Sequence, residues 1–481
     1  MYPIAEHWLN YIDGQWCDSE SRLTVNNPGT AEPVATIAQA SVADAERALV
    51  AARRCADSGE LTRARPAQRV TWLLRIAEEI RAVAEEGAWV LCQENGKSLN
   101  DARDEFIEAA RYFEYYAGMA DKIEGTSIPL GDGYMDFTLY DPMGVSAQIV
   151  PWNFPVSICA RSLAPALAAG NAVVIKSPEL SPLGMCVLIR AIARAGLPEG
   201  AVNLICGRGR EVGTHLVGSA KVDQIVFTGS VPTGQTILRA AAAHAIPSVM
   251  ELGGKSAAIA FADVDRAQLL ASVKGGIFFN AGQVCSALSR LLVQREIYEE
   301  IVQAVVELAE DLSVGLGQDN PDLTPVISAG QLAGIEELCR RAIEQGSVVA
   351  TGGERFGDRA GHFMRPTVFR DVRPEMAIAQ EEVFGPVLAI IPFDSEEEAI
   401  AIANGTAFGL VAGVFTQDIS RAMRCARRLK SGQVFVNEWY AGGIETPFGG
   451  VGLSGFGREK GQEALYSYVR TKNVAIRVAG E

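Results

Sequence analysis

Histidine is scarce in this chain of 481 residues: four, at His7, His215, His244 and His362. None lies in a recognisable nucleophile elbow or beside a thiol-bearing motif, which disfavours a serine–histidine–acid hydrolase. Cysteine is commoner but unorganised, nine residues with no CxxC pair and no Cys/His ligand spacing. That pattern argues against a disulfide framework and a metal site, and predicts a reduced, cytoplasmic chain. A basic surplus is also missing. Lys+Arg 43 against Asp+Glu 58 leaves a net charge of −15, a field that repels nucleic acid and anionic membranes. The opening residues, Met1 to His7, lack the basic flank and apolar stretch of a secretion signal. Longer apolar runs such as 157–175 are interrupted by Arg161 and by glycine and proline, unlike a membrane span. There is no internal repeat, low-complexity segment or long linker.

What remains is ordinary globular material, 48% apolar and 21% charged, long enough for about two or three domains. Residues 8–40 read as short strands and turns. Helical periodicity covers 41–56, 66–84 and 99–119. From residue 145, strands predicted at 145–150, 172–175, 201–206, 224–227 and 256–260 alternate with helices at 159–169, 182–195, 211–218 and 234–243. That succession describes a parallel sheet with helices on both faces and a site at the strand C-terminal ends. A second α/β unit spans about 254–453, with helices at 269–279, 297–312 and 331–345 and strands at 290–293, 347–351, 369–370, 387–392, 411–415 and 432–437. The turn-rich 123–139 reads as a β excursion.

The chemistry-bearing residues fall in a few stretches. Phe279-Asn280-Ala281-Gly282-Gln283-Val284-Cys285-Ser286 offers one thiol, although a free cysteine there suits a packed core as well. Pro151-Trp152-Asn153-Phe154-Pro155 supplies an amide donor, Glu251-Leu252-Gly253-Gly254-Lys255 a carboxylate, and Glu381-Glu382-Val383-Phe384-Gly385-Pro386 another, each beside a strand-like run. A thiol, an oxyanion donor and a base are the minimum parts for covalent chemistry on a carbonyl. Taken singly, Asn153 could cap a turn, Trp152 pack a core, and Glu251 pair with Lys255.

With Phe227-Thr228-Gly229-Ser230, these motifs match in order and spacing, and the chain resembles the NAD(P)-dependent aldehyde dehydrogenase superfamily, in its hydrolytic branch, over nearly its whole length. The resemblance implies a Rossmann-like NAD-binding domain (1–122 and 143–253), an α/β catalytic thiol domain (254–453) and β oligomerisation elements (123–142 and 460–481). It implies that Cys285 attacks an aldehyde, that Asn153 and the Cys285 N–H receive the oxyanion, and that Glu251 activates water against a thioester. A CoA-acylating relative generally lacks the base at Glu251, and a noncatalytic protein on this scaffold usually loses the thiol. The excursion is expected to pair with strand 469–478 of another subunit, giving a homodimer or homotetramer.

The formal GxGxxG at Gly450–Gly455 opens no βαβ unit and is set aside. Phe227-Thr228-Gly229-Ser230-Val231-Pro232-Thr233-Gly234 fits better: a strand ends, and the helix start offers free amides to pyrophosphate. Gly229, Ser230 and Gly234 are therefore expected at NAD, with Trp152 and Leu252. Lys176 and Glu179 are expected at the adenosine ribose, where a carboxylate favours NAD over NADP. In Lys176-Ser177-Pro178-Glu179 the proline is displaced from its usual family place. Glu382 and Phe384 are expected at the nicotinamide end, with Glu381 pointing elsewhere. Two further departures are Gly452 and Ser162, where relatives carry lysine.

The substrate pocket is expected from Phe154, Ile158, Arg161, Val284, Ser286, Trp439, Tyr440 and Phe448. The aromatics suit a hydrophobic or aromatic aldehyde. Arg161 resembles the arginine of semialdehyde-oxidising members, making a carboxylated semialdehyde the alternative, unless Glu438 neutralises it.

Overall fold

Short apolar runs alternating with amphipathic helices fold, in a computed structural model that describes residues 2–478, into two large α/β sheets. The first has eight strands. Its parallel part runs in the order Ser248–Glu251, Gln224–Thr228, Val145–Ile149, Ala172–Ser177, Val202–Cys206. Gly455–Phe456 closes one edge and Asn10–Ile12 with Gln15–Cys17 the other, all antiparallel. Side chains alternate along each strand. Val226 therefore packs in the layer of helix Pro155–Ala169, and Ile225 and Phe227 in the opposite layer with Ile237 of helix Val231–Ala241. Burial on both faces makes each strand a continuous apolar run.

One expected strand belongs elsewhere. Ala257–Ala260 lies in the middle of the second sheet, between Arg290–Gln294 and Val411–Phe415, while Ser248–Glu251 takes the outer parallel place in the first. The chain crosses from sheet to sheet over 252–256 with no helix between, so Glu251 ends one sheet where the other begins. The second sheet runs Val348–Thr351, Thr367–Arg370, Val387–Phe393, Arg290–Gln294, Ala257–Ala260, Val411–Phe415, Gln433–Val436, parallel except for its first strand. Its core holds Ile301 and Val305 of helix Tyr298–Glu310 and Ile335 of helix Ala329–Glu344. Burying each such side chain is worth about 1.5–3 kcal/mol.

Helices Ala84–Asn95, Glu396–Ala403, Ile419–Arg428 and Gly461–Tyr466 were not anticipated by periodicity. The predicted helix at 269–279 is α-helical only over Arg266–Val273, where Asp265 caps the Gln268 N–H at 3.1 Å. It then widens and breaks into the thiol loop.

The excursion forms a three-stranded sheet with the C-terminal strand of its own chain: Val469–Arg477 runs antiparallel to Tyr134–Pro142, which also pairs with Ser127–Ile128. The expected pairing of this strand with another subunit's excursion is thus corrected. Tyr134 and Val469 sit at opposite ends of a ladder in unbroken register, which Met143 N extends by donating to Tyr468 O at 3.1 Å.

Candidate active site

The thiol loop is built from residues that leave ordinary helix. Asn280, Ala281 and Gly282 take positive φ of 49°, 54° and 69° in succession. Glycine is required at the third, since a Cβ on Gly282 would lie 2.1 Å from the Gly385 carbonyl oxygen. Side chains staple the loop: Gln283 Nε2 donates to Asn280 O (3.1 Å), and Gln283 Oε1 accepts from Ile327 N (2.8 Å). Asn153 Nδ2 donates to Gln283 O at 2.9 Å, tying the amide-bearing loop to the thiol-bearing one.

The amide loop is held from behind by groups that sequence reasoning missed. Lys97 Nζ, fully buried, bonds Glu105 Oε2 (2.5 Å) and Asn153 O (2.8 Å), and stands 4.2 Å from the centre of the Phe154 ring. Glu105 in turn accepts from Val156 N (2.8 Å) and Ser157 N (3.0 Å), capping helix Pro155–Ala169, whose Pro155 needs no N–H there. Asn95 Nδ2 donates to Trp152 O at 2.7 Å. The available signal was polar residues, Glu105 and Glu108, seven and four positions before Tyr112 and so on the same side of a half-buried helix.

Cys285 and Asn153 both line two cavities, one on either side of them. Cys285 is only half-buried because it faces this open space, yet the surrounding protein pushes its thiol up to about 12, with Arg161 pulling the other way. Glu251 is buried with neither carboxyl oxygen hydrogen-bonded. Burial, then the charge of Glu459, raises its pKa well above 4.5. Lys255 makes no ion pair with Glu251. Its Nζ is buried and unpartnered, and burial, reinforced by Arg290, lowers it to about 7.

The larger cavity, about 340 Å³, is lined by Pro151, Trp152, Thr228, Gly229, Ser230, Glu251, Leu252, Gly253, Glu382 and Phe384 with Cys285. Glu382 accepts from Gly254 N at 2.9 Å, and burial raises it to about 7. Glu381 turns outward to Arg341 (2.6 Å). Phe384, at φ 54°, meets Trp152 edge-on with ring centres 5.3 Å apart. Lys176, Glu179 and Gly234 do not line the cavity. Lys176 Nζ approaches Glu179 Oε1 at 3.6 Å, and that oxygen also accepts from Gly209 N at 2.8 Å. Gly234 serves packing instead: a Cβ there would lie 2.7 Å from Leu252.

A second cavity of about 240 Å³ is lined by Phe154, Ile158, Arg161, Val284, Ser286, Tyr440 and Phe448, and by Glu108, Tyr112, Ser157, Phe279, Phe435 and Lys460, which were not foreseen. Ile158 and Arg161 share its wall, three apart on one helix. Trp439 is a correction: it is buried behind the wall, its Nε1 donating to Ser286 O at 3.1 Å. Glu438 is exposed and does not neutralise Arg161. Arg161 pairs with Glu459, donates to Thr228 Oγ1 (3.2 Å) and lies 5.3 Å from the centre of the Phe448 ring. Ser162 Oγ donates to the other Glu459 oxygen.

Among the described residues no group of three or more His, Cys, Asp and Glu could hold a metal ion, and no helix is long and apolar enough to cross a membrane. The profile of the aldehyde dehydrogenase family matches residues 16–474. A betaine aldehyde dehydrogenase of Bacillus subtilis is 39% identical over 96% of both chains, and human retinal dehydrogenase 2 is 38% identical over 97% of this chain and 91% of its own. Among solved structures, an aldehyde dehydrogenase from Bacillus cereus in complex with NAD⁺ superposes with a TM-score of 0.97 at 36% identity, covering 98% of this chain and 97% of that one. By sequence and by fold alike, the chain belongs to the aldehyde dehydrogenase family.

Proposed function

We propose that this enzyme oxidises aldehydes to carboxylic acids with NAD, using Cys285 as nucleophile. The observation that carries this is a single thiol shared by two cavities, with an amide donor beside it and a buried carboxyl in one of them. The larger cavity fits a dinucleotide by its own chemistry. Ser230 Oγ bonds Thr233 Oγ1 (3.0 Å) and caps no helix N–H, so the first amides of Val231–Ala241 are free for pyrophosphate. Trp152, Leu252 and Phe384 would hold the flat rings, Glu382 a ribose, and Glu179 would disfavour a 2′-phosphate. The bound NAD⁺ complex of the Bacillus cereus relative supports the same reading.

In the proposed mechanism Cys285 gives its thiol proton to solvent and as thiolate bonds the aldehyde carbon, and Asn153 Nδ2 with the Cys285 N–H receives the oxyanion. Oxidation of the adduct to a thioester requires a hydride acceptor, which is the chemistry the dinucleotide contributes when bound. Glu251, a strengthened base because burial raises its pKa, then takes a proton from water attacking the thioester. Cys285 leaves as the thiolate and the acid departs through the smaller cavity.

The stacked Phe154 and Phe279 rings, 5.7 Å apart, with Tyr440 and Phe448 on the same cavity, favour an aromatic or extended apolar aldehyde. Arg161 is engaged by Glu459 and Thr228, which weighs against a short semialdehyde held through that residue. Exposed Tyr134, Met135, Leu139 and Ile476 on the excursion sheet support a homo-oligomer. The test is NAD reduction with benzaldehyde-type, straight-chain and succinate-semialdehyde substrates, paired with Cys285→Ala. The variant should reduce no NAD with any of them, and retained turnover would remove Cys285 from the mechanism.

A further inference from the structure

The smaller cavity holds a cation that has no ion-pair partner among the described residues. Lys460 lines it, half-buried, and among the described residues its ammonium makes no ion pair and no hydrogen bond. The two other charged groups on this lining are occupied. Arg161 holds Glu459 and Thr228, and Glu108 accepts from Ser157 Oγ (2.6 Å) and Tyr112 Oη (3.3 Å). Burial lowers the Lys460 pKa; of the charges around it Glu108 raises it most, Arg161 lowers it, and Glu445 and Glu459 raise it.

The backbone holds Lys460 in a conformation that L residues seldom adopt, φ 61° and ψ 170°. It is pinned on both sides. Phe448 and Glu459 exchange N–H···O bonds of 2.6 and 2.8 Å, and Gly461 N donates to Ile444 O at 2.8 Å. A strained residue clamped on a cavity lining is a candidate ligand contact, since such conformations cluster at ligand clamps. Its place along the cavity follows from its neighbours. A Cβ on the next residue, Gly461, would lie 3.0 Å from the carbonyl oxygen of Glu445, and Glu445 is exposed. Lys460 therefore lies on the part of the lining next to exposed Glu445, in a cavity whose walls also carry Phe154, Phe279, Tyr440 and Phe448.

We propose that Lys460 recognises a carboxylate, or a chemically equivalent anion, at the end of the aldehyde remote from its carbonyl. This rests on the aldehyde-oxidation reading above and narrows it to aromatic or extended apolar aldehydes with an anionic tail. An ammonium meeting a carboxylate at a partly desolvated site forms a charge-assisted bond that the neutral analogue cannot make. Glu108, fixed by two hydroxyls, sets the opposite preference and makes a cationic tail the rival outcome.

The experiment compares kcat/KM for 4-formylbenzoate, benzaldehyde and 4-(trimethylammonio)benzaldehyde in the full-length wild type, Lys460→Met and Lys460→Arg. The formylbenzoate-to-benzaldehyde ratio should fall about tenfold in Lys460→Met and recover in Lys460→Arg. An unchanged ratio, or a wild-type preference for the cationic aldehyde, overturns the proposal while leaving aldehyde oxidation intact. If no aldehyde reduces NAD, the functional reading fails, and Lys460 is then read without turnover, from the concentration of 4-formylbenzoate that protects Cys285 against alkylation by iodoacetamide. Weaker protection in Lys460→Met than in wild type upholds the contact, and equal protection overturns it.

Discussion

Replacing Glu251 by glutamine should separate the two halves of the reaction and expose what burial does to this carboxyl. Neither oxygen has a hydrogen-bond partner, and burial, then Glu459, raises the pKa well above 4.5, with Arg161 and Arg458 opposing. The folded protein thus binds this proton more tightly than the unfolded chain does. The stability that follows is fully present below pH 4.5 and is lost as pH rises through the folded-state pKa. The loss accrues at about 1.4 kcal/mol per pH unit. Glutamine copies the shape of the protonated carboxyl and cannot ionise. Relative to wild type, Glu251→Gln should therefore gain about 1.4 kcal/mol for each pH unit above the unfolded pKa, until wild-type Glu251 ionises. Urea unfolding across a pH series measures this directly. Mixed rapidly with NAD and an aldehyde, the same variant should release about one equivalent of NADH per thiol and then slow by about 10²–10⁴-fold, the usual worth of a general base. Parallel pH–stability curves for the two proteins would refute the burial account. A variant with wild-type steady-state turnover would refute the role in hydrolysis.

Lys97→Met should leave Glu105 buried without its cation and lower stability by about 3–5 kcal/mol; the double variant with Glu105→Gln, which can still accept from Val156 and Ser157, should recover part of the loss in urea unfolding. Gly253→Ala would bring a Cβ within 2.1 Å of Glu382 Oε2, so Glu382 should swing away from Gly254 N and the KM for NAD should rise about tenfold while the thermal midpoint moves little. An unchanged KM would mean that Glu382 does not touch the cofactor.

Most of the parallel sheet framework was legible because strands buried on both faces leave uninterrupted apolar runs, as in Ala172–Ser177 and Val411–Phe415. What misled was the crossing at 252–256. Strand, turn and strand follow there without a helix, so the period of the sequence carries no mark of which sheet each strand joins. The thiol, the amide and Glu251 were readable from local motifs. Lys97, Glu105 and Lys460 were not, because a residue's value to a site depends on partners brought from far along the chain: Lys97 reaches Asn153, and Lys460 acquires meaning only when its lack of an ion pair can be seen. Trp439 illustrates the converse. Its aromatic character was correctly noticed, but the path of the turn after strand Gln433–Val436, with positive φ at Asn437 and Tyr440, decides whether such a ring faces a cavity or, as here, props its wall from behind.

The two departures from the family's lysine positions find a joint physical reading at Glu459. Ser162 offers that carboxylate only a hydroxyl, and Gly452 lies on an exposed strand edge. The compensating cation comes instead from Arg161, one residue earlier on the same helix and so rotated by about 100° toward the cavity. From there it pairs with Glu459, covers the Phe448 face and bonds Thr228 at the end of the strand beside Glu251. Two consequences follow from the same shift. Burial, and after it the charge of Glu459, raises the Glu251 pKa, and Arg161 on the same carboxylate opposes that rise. With Arg161 committed to Glu459, anionic recognition in the substrate cavity would fall to a different cation, and Lys460 is the one on that lining that makes no ion pair among the described residues.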